Sequence, residues 1–183
     1  MVTRRRIVVA GTSGSGKTTL ARRISRQLDI PHIELDAIHH QPGWIPMPEN
    51  EFRAAVAEQI TGRAWVADGN YNGKLGDLLW RSADTVIWFD LPRTLVLRQT
   101  VLRTLGRVLT RRTLWNGNRE SWRDLISLDP QRSIIVWSWK SHPTNRIRCE
   151  AAQDDPAYRH IEFVRIRSHR DADAFLADLR RSM

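Results

Sequence analysis

The chain has a single cysteine, only three lysines and no long apolar run. One cysteine, Cys149, excludes an internal disulfide and any zinc site built from several cysteines. No stretch approaches the roughly 20 apolar residues that a membrane-crossing helix requires. The basic residues 1–6 run directly into an apolar strand pattern, which argues against a signal peptide. These absences predict a cytoplasmic protein. Repeats and low-complexity linkers are missing too, and 183 residues suit one α/β domain spanning 1–183.

The scarcity of lysine sharpens this picture. Lys17, Lys74 and Lys140 stand against 26 arginines in a chain of formal net charge +9. A planar guanidinium grips phosphate through two parallel hydrogen bonds, so the bias suits a site that handles phosphoryl groups. The codon usage of a GC-rich genome explains it equally well, and a nucleic-acid partner less so.

What is present is decisive near the start. Gly11, Thr12, Ser13, Gly14, Ser15, Gly16, Lys17 and Thr18 match G-x-x-x-x-G-K-[ST] at every fixed position. An apolar run at residues 7–10 precedes them, and Leu20, Ile24 and Leu28 follow at helical spacing. That strand-loop-helix context turns a pattern into a phosphate-binding site. Glycines let successive amide N–H groups converge on phosphate oxygens, and the helix N-terminus adds partial positive charge. Lys17 is expected to reach the β- and γ-phosphates, Thr18 to hold Mg²⁺, and Thr19 to complete the cradle. The predicted cofactors are ATP and Mg²⁺.

Strands are predicted at residues 7–10, 32–36, 65–67, 85–89 and 161–166, separated by helical segments. That alternation is the signature of a parallel sheet covered on both faces. Residues 48–61 read as a short helix with Phe52, Val56 and Ile60 on one face. A longer helix is predicted from 92 to about 112, with Asp90 as its N-cap and Leu95, Leu102 and Leu105 inward. Residues 113–130 read as a polar, Trp-containing insertion. A further helix at about 131–153 should be kinked or interrupted by Pro143, and the last helix covers 171–181.

Ligands in open α/β sheets sit beyond the carboxyl ends of the strands. Asp68, in Asp68-Gly69-Asn70-Tyr71, is the first choice to hold Mg²⁺ through water, beside Thr18. Asp36 stands where it would bind an acceptor hydroxyl or take its proton, positioning being its main contribution. His39, Trp44, Arg53, Gly69 and Asn70 complete the candidate acceptor site; His39 and its neighbour His40 read equally well as a surface loop. Arg103, Arg107 and Arg111 recur every four residues, with no acid within four positions of any of them. Like charges at that spacing repel, and an anionic ligand would reverse the penalty. Arg119 and Arg123 form a second pair, for which Glu120 and Asp124 offer ordinary ion pairs. Lid arginines closing over the transferring phosphate are the functional reading.

These motifs resemble the adenylate-kinase-like branch of the P-loop kinases, most of all its small bacterial topology-modulation, or adenylate-kinase-related, proteins. The stretches that carry the resemblance are Leu35-Asp36-Ala37-Ile38-His39, Asp68-Gly69-Asn70-Tyr71 and Trp115-Asn116-Gly117-Asn118-Arg119-Glu120. The resemblance implies a three-layer α/β/α sandwich with a five-stranded parallel sheet of order 2-3-1-4-5. It also implies an acceptor-binding insertion at 37–63 and a lid at about 108–130. Arg103 and Arg107 match the family's R-x-x-G-R stretch, which holds ATP, and Ser168 and His169 fall where the family encloses adenine. Asp68-Gly69 matches the opening of D-G-F-P-R, but Asn72 stands where that motif ends in a phosphate-binding arginine.

Sequence and resemblance together predict a kinase that moves the γ-phosphoryl group of ATP to a small metabolite, a nucleotide or nucleoside. Lys17, Arg103, Arg107, Arg119, Arg123 and Asp36 are its expected catalytic residues. The rival is a nucleic-acid-binding protein operated by ATP, without small-molecule kinase activity.

Overall fold

A computed structural model describes residues 4–123, 127, 129 and 133–181. Its strands are β1 (Arg6–Gly11), β2 (His32–Glu34), β3 (Trp65–Asp68), β4 (Thr85–Phe89) and β5 (Glu162–Ile166). All pair in parallel, in the order β2-β3-β1-β4-β5. The helices are α1 (Lys17–Leu28), α2 (Leu35–His39), α3 (Glu49–Gln59), α4 (Asn72–Leu75), α5 (Leu78–Ser82), α6 (Arg93–Leu109), α7 (Ile134–Asp154) and α8 (His169–Arg181).

Strand alternation divides the core in two. Val8, Ala10, Val86 and Trp88 face α3, α4, α5 and α7, whereas Ile7, Val9, Ile87 and Phe89 face α1 and α8. Fully covered strands explain why their sequences read as unbroken apolar runs. Phe52 and Val56 of α3 are wholly buried, each contributing about 1.5–3 kcal/mol by transfer from water. Cys149 is buried in α7, and burial pushes its thiol up to about 12, so it packs as an inert small hydrophobe.

Register positions the site. Val9 of β1 lies opposite Asp68 of β3, and Asp68 opposite Glu34 of β2. The acidic strand ends and the loop after β1 therefore meet at one edge of the sheet.

Four expectations are corrected. Strand β2 stops at Glu34 because residues 35–39 turn into α2, so Asp36 is presented from a helix. Asp90 caps nothing: it is almost buried and takes the Arg165 guanidinium at 2.5 and 3.0 Å. The inward face of α6 is Val96, Thr100, Thr104 and Val108, while Leu102 is 58% exposed. Leu95 is partly buried against the core as expected, while Thr100 faces the phosphate loop and donates to the Ser13 carbonyl.

The fourth concerns Pro143, which sits inside an unbroken α7. Proline has no N–H for the carbonyl four residues earlier, that of Trp139. Arg93 Nη2 donates to that carbonyl at 2.7 Å, and its guanidinium lies 3.5 Å from the centroid of the Trp139 ring. A side chain of α6 thus replaces the missing backbone donor. Arg93→Ala should destabilise the fold by about 1–2 kcal/mol. In a Pro143→Ala background, where the backbone donor returns, the same substitution should do less. Denaturant unfolding of the four-member cycle measures this; equal losses in both backgrounds would contradict the compensation.

Candidate active site

The loop after β1 is held in one conformation by its glycines and its neighbours. Gly14 has φ +86°, and a Cβ there would lie 2.1 Å from Thr100 Oγ1, so neither its conformation nor its space admits a side chain. Three elements brace the loop. Asn70 clamps Gly11 reciprocally, accepting from its N–H at 3.2 Å and donating to its carbonyl at 2.7 Å. Thr100 of α6 and Ser138 of α7 reach the Ser13 carbonyl at 3.0 and 2.9 Å. Arg103 Nη2 donates to Ser13 Oγ at 3.1 Å. Thr12 and Ser15 are buried, Ser15 Oγ without a hydrogen-bond partner, and Thr19 is exposed in the first turn of α1.

Lys17 folds back so that its ammonium donates to the Thr12 carbonyl at 3.0 Å. Burial pulls its pKa down, the carboxylates of Asp36 and Asp68 oppose that, and Arg103 adds to it. Among the described residues it forms no ion pair. A desolvated cation so placed fits a polyphosphate.

Thr18 Oγ1 donates to Asp68 Oδ2 at 2.5 Å. A hydroxyl and a carboxylate are the hard oxygen donors that Mg²⁺ takes. No group of three or more His, Cys, Asp or Glu suited to a metal occurs among the described residues. An ion held by Thr18 and Asp68 would thus complete its shell with phosphate oxygens and water. His32 Nε2 lies 2.7 Å from Asp68 Oδ1.

On the other side of the cleft, Tyr71 donates to Asp36 Oδ1 at 2.6 Å. Burial, and then the Asp36 carboxylate, push the Tyr71 phenol far above its usual range, so it stays a donor. Lys74 Nζ lies 3.2 Å from His39 Nε2, and the His39 ring is enclosed by Phe52 and Tyr71. Burial, then Lys74 and His40, pull His39 down to about 4, making it a neutral imidazole. His40 is lowered by burial against the pull of Asp36. The two histidines are not a surface loop: His39 is 5% exposed. Arg53, itself exposed, donates to the Lys74 carbonyl at 3.0 Å. Gly69 has φ +146°, and a Cβ there would meet Leu35 Cβ at 2.9 Å, so its place is a close backbone approach.

The lid arginines part company. Arg103 is drawn down to about 10 by burial and then Arg107, with Glu120 and Asp36 opposing, and it stays charged. Arg107 pairs with Glu120 Oε1 at 2.8 Å, so an acid thirteen residues away does neutralise that member of the stripe. Arg111 lies beyond the end of α6, exposed, with φ +48°, and shares no helical face with the other two. Arg119 is exposed and donates to Thr113 Oγ1 at 3.3 Å; Arg123 is also exposed, and Asp124 lies outside the described residues.

The segment 115–119 is strapped to the acceptor insertion. Asn118, 4% exposed, donates to the Gln41 carbonyl and accepts from Trp44 N–H, both at 2.9 Å. Asn116 reaches the carbonyls of Ala37 and His40 at 3.1 and 2.6 Å, and Trp44 Nε1 donates to the Arg119 carbonyl at 3.0 Å. Trp44 therefore acts as a strap contact, its ring near those of His40 and Trp115. Sequence reasoning gave these two asparagines, Tyr71 and His32 no role, although the stretches that carry the resemblance include both asparagines and Tyr71.

At the far end, Ser168 is the N-cap of α8: its Oγ and N–H exchange hydrogen bonds with Asp171. His169 Nε2 lies 2.7 Å from Gln99 Nε2, close to Gly16.

Solved structures share this fold. A gluconokinase from Sinorhizobium meliloti 1021 superposes with a TM-score of 0.52 over 98% of this chain and 95% of its own, at 20% identity. A shikimate kinase from Bacteroides thetaiotaomicron gives 0.52 over 97% of each chain, at 14% identity. This is the P-loop kinase fold. A sugar kinase from Janibacter sp. HTCC2649 agrees, at 0.51 over 97% of this chain and 92% of its own, with 15% identity. No family model and no curated protein matches the sequence. None of the three structures is an adenylate kinase by name, so the likeness to that branch rests on the motifs alone.

The enclosed histidine sets a pH dependence. In the unfolded chain His39 titrates near 6.5, and in the folded one near 4. Between those values only the unfolded chain takes up the proton, so stability is full above about 6.5 and falls as pH drops towards 4. The melting temperature should decline over that interval, less steeply in His39→Gln. Identical slopes would contradict the assignment.

Proposed function

We propose that the protein is a Mg²⁺–ATP-dependent phosphotransferase whose acceptor is a hydroxyl of a small metabolite, a nucleoside or another polyhydroxy compound. The observation that carries this reading is the complete phosphate loop at the carboxyl edge of the sheet, with Thr18 bonded to Asp68 and the Asp36 carboxylate close enough to bear on Lys17 and Arg103. Thr18 and Asp68 would hold Mg²⁺, which when bound would supply positive charge against the phosphates. Loop amides and Lys17 hold the polyphosphate, and Arg103, charged and bonded to Ser13, adds positive charge beside the transferring group; Arg107 would have to leave Glu120 to join it.

Asp36 orients the acceptor. Tyr71 occupies Oδ1, and the described residues give Oδ2 no hydrogen bond. A hydroxyl donating to Oδ2 would be held for transfer, its oxygen forming the new bond to the γ-phosphorus as the bond from that phosphorus to the β–γ bridging oxygen breaks. The proton leaves through Asp36.

Nucleoside monophosphate is disfavoured as acceptor on two grounds. Asn72 stands where the resembled motif has its phosphate-binding arginine. Lys74 and Arg53, the cations that could stand in for that arginine, are engaged elsewhere, Lys74 against His39 and Arg53 against a backbone carbonyl. The names of the structural neighbours, gluconokinase, shikimate kinase and sugar kinase, also support a hydroxyl acceptor. The nucleic-acid reading draws on the exposed arginines Arg111, Arg112, Arg119 and Arg123 around the lid.

An acceptor panel with γ-labelled ATP tests the choice. Transfer is expected to nucleosides or polyols and not to nucleoside monophosphates. Lys17→Ala and Asp36→Asn should each lower turnover by about 100-fold or more. Absence of transfer to any acceptor, with salt-sensitive nucleic-acid binding that responds to ATP, would favour the rival.

A further inference from the structure

Asp68 is held from two sides, and only one of them belongs to the phosphate loop. Its carboxylate is 3% exposed, and a buried carboxylate needs donors for both oxygens. Thr18 supplies Oδ2, and His32 Nε2 stands 2.7 Å from Oδ1. A carboxylate only accepts, so the imidazole is the donor. The strand register makes this contact possible. Glu34 lies directly opposite Asp68, and His32, two residues earlier, is on the same face of β2. The imidazole therefore reaches diagonally along the sheet, a step of roughly 7 Å between backbones that a long side chain spans. Glu34, the like-charged neighbour, is turned to Arg22 at 3.0 Å and does not compete for the donor.

We infer that His32 is a positioning residue for the Mg²⁺ carboxylate, an inference that rests on the phosphotransferase reading above. By fixing Oδ1 it fixes the rotation of the carboxyl group, so that Oδ2 faces Thr18 and the place where the ion and its water would be held. Partners of this kind orient metal-binding carboxylates, and their loss typically weakens metal affinity 10–100-fold. Nothing in the loop motif marks His32, because it lies 36 residues from Asp68 and acts through it alone.

A purely structural role would leave metal affinity unmoved, so the test separates the two. Mg²⁺ is titrated calorimetrically into protein saturated with a non-hydrolysable ATP analogue, and affinity for the analogue is measured separately in EDTA. His32→Leu should weaken Mg²⁺ by about 10–100-fold, with analogue affinity in EDTA changed by less than about threefold. His32→Gln, whose amide nitrogen falls near the position of Nε2, should bind Mg²⁺ nearly as the parent does. Where His32→Leu does not fold, His32→Asn takes its place, its donor being too short to span the step. Unchanged Mg²⁺ affinity in His32→Leu or His32→Asn, or equal weakening in His32→Gln, would overturn the inference. A parent protein whose analogue binding ignores Mg²⁺ would overturn the phosphotransferase reading, and this inference with it.

Discussion

The contact from Thr18 to Asp68 ties the first turn of α1 to the end of β3, and the candidate site is arranged around it. Parallel pairing of β1 with β3 and β4 brings the carboxyl ends of three strands to one edge. The phosphate loop leaves that edge and returns as a helix whose N-terminus points inward. Thr18 anchors the loop to Asp68, and Asn70, Thr100, Ser138 and Arg103 brace it through Gly11 and Ser13. Preorganised donors of this kind need no rearrangement when charge develops.

The acceptor side is organised by a different force. His39, Phe52 and Tyr71 pack as an aromatic cluster, and burial makes the imidazole neutral while it keeps the phenol protonated. Asp36 emerges from this apolar setting with one oxygen already bonded. Asn116 and Asn118 then lash the lid segment to the same insertion through backbone carbonyls. Residues 115–119 and 37–44 are therefore one connected surface, and Glu120, next to that strap, meets Arg107.

What the sequence made legible was local. The phosphate loop, the five strands and their alternation arise from neighbouring residues, and their order agrees with the resemblance read from the motifs. Asp68 was singled out because strand ends are where ligands sit, and the structure sets it against Thr18. What escaped was decided by partners distant along the chain. Pro143 is accommodated because Arg93, fifty residues away, supplies a donor. Asp90 reads as a cap until Arg165 arrives from β5. The Arg103–Arg111 stripe is broken because the helix ends at Leu109 and Glu120 comes back to Arg107. Helical spacing reports neither event. Thr100 on α6 was missed for a similar reason: periodicity looks for leucine, and its neighbour is a polar loop.

The central claim is that the backbone amides of residues 11–18 cradle the phosphates of ATP. Titrating Mg²⁺–ATP into isotope-labelled protein and following amide resonances tests it most directly. The largest shifts should fall on Gly14, Gly16, Lys17 and Thr18 and be lost in Lys17→Ala. Saturable shifts centred elsewhere, or none at millimolar nucleotide, would contradict it.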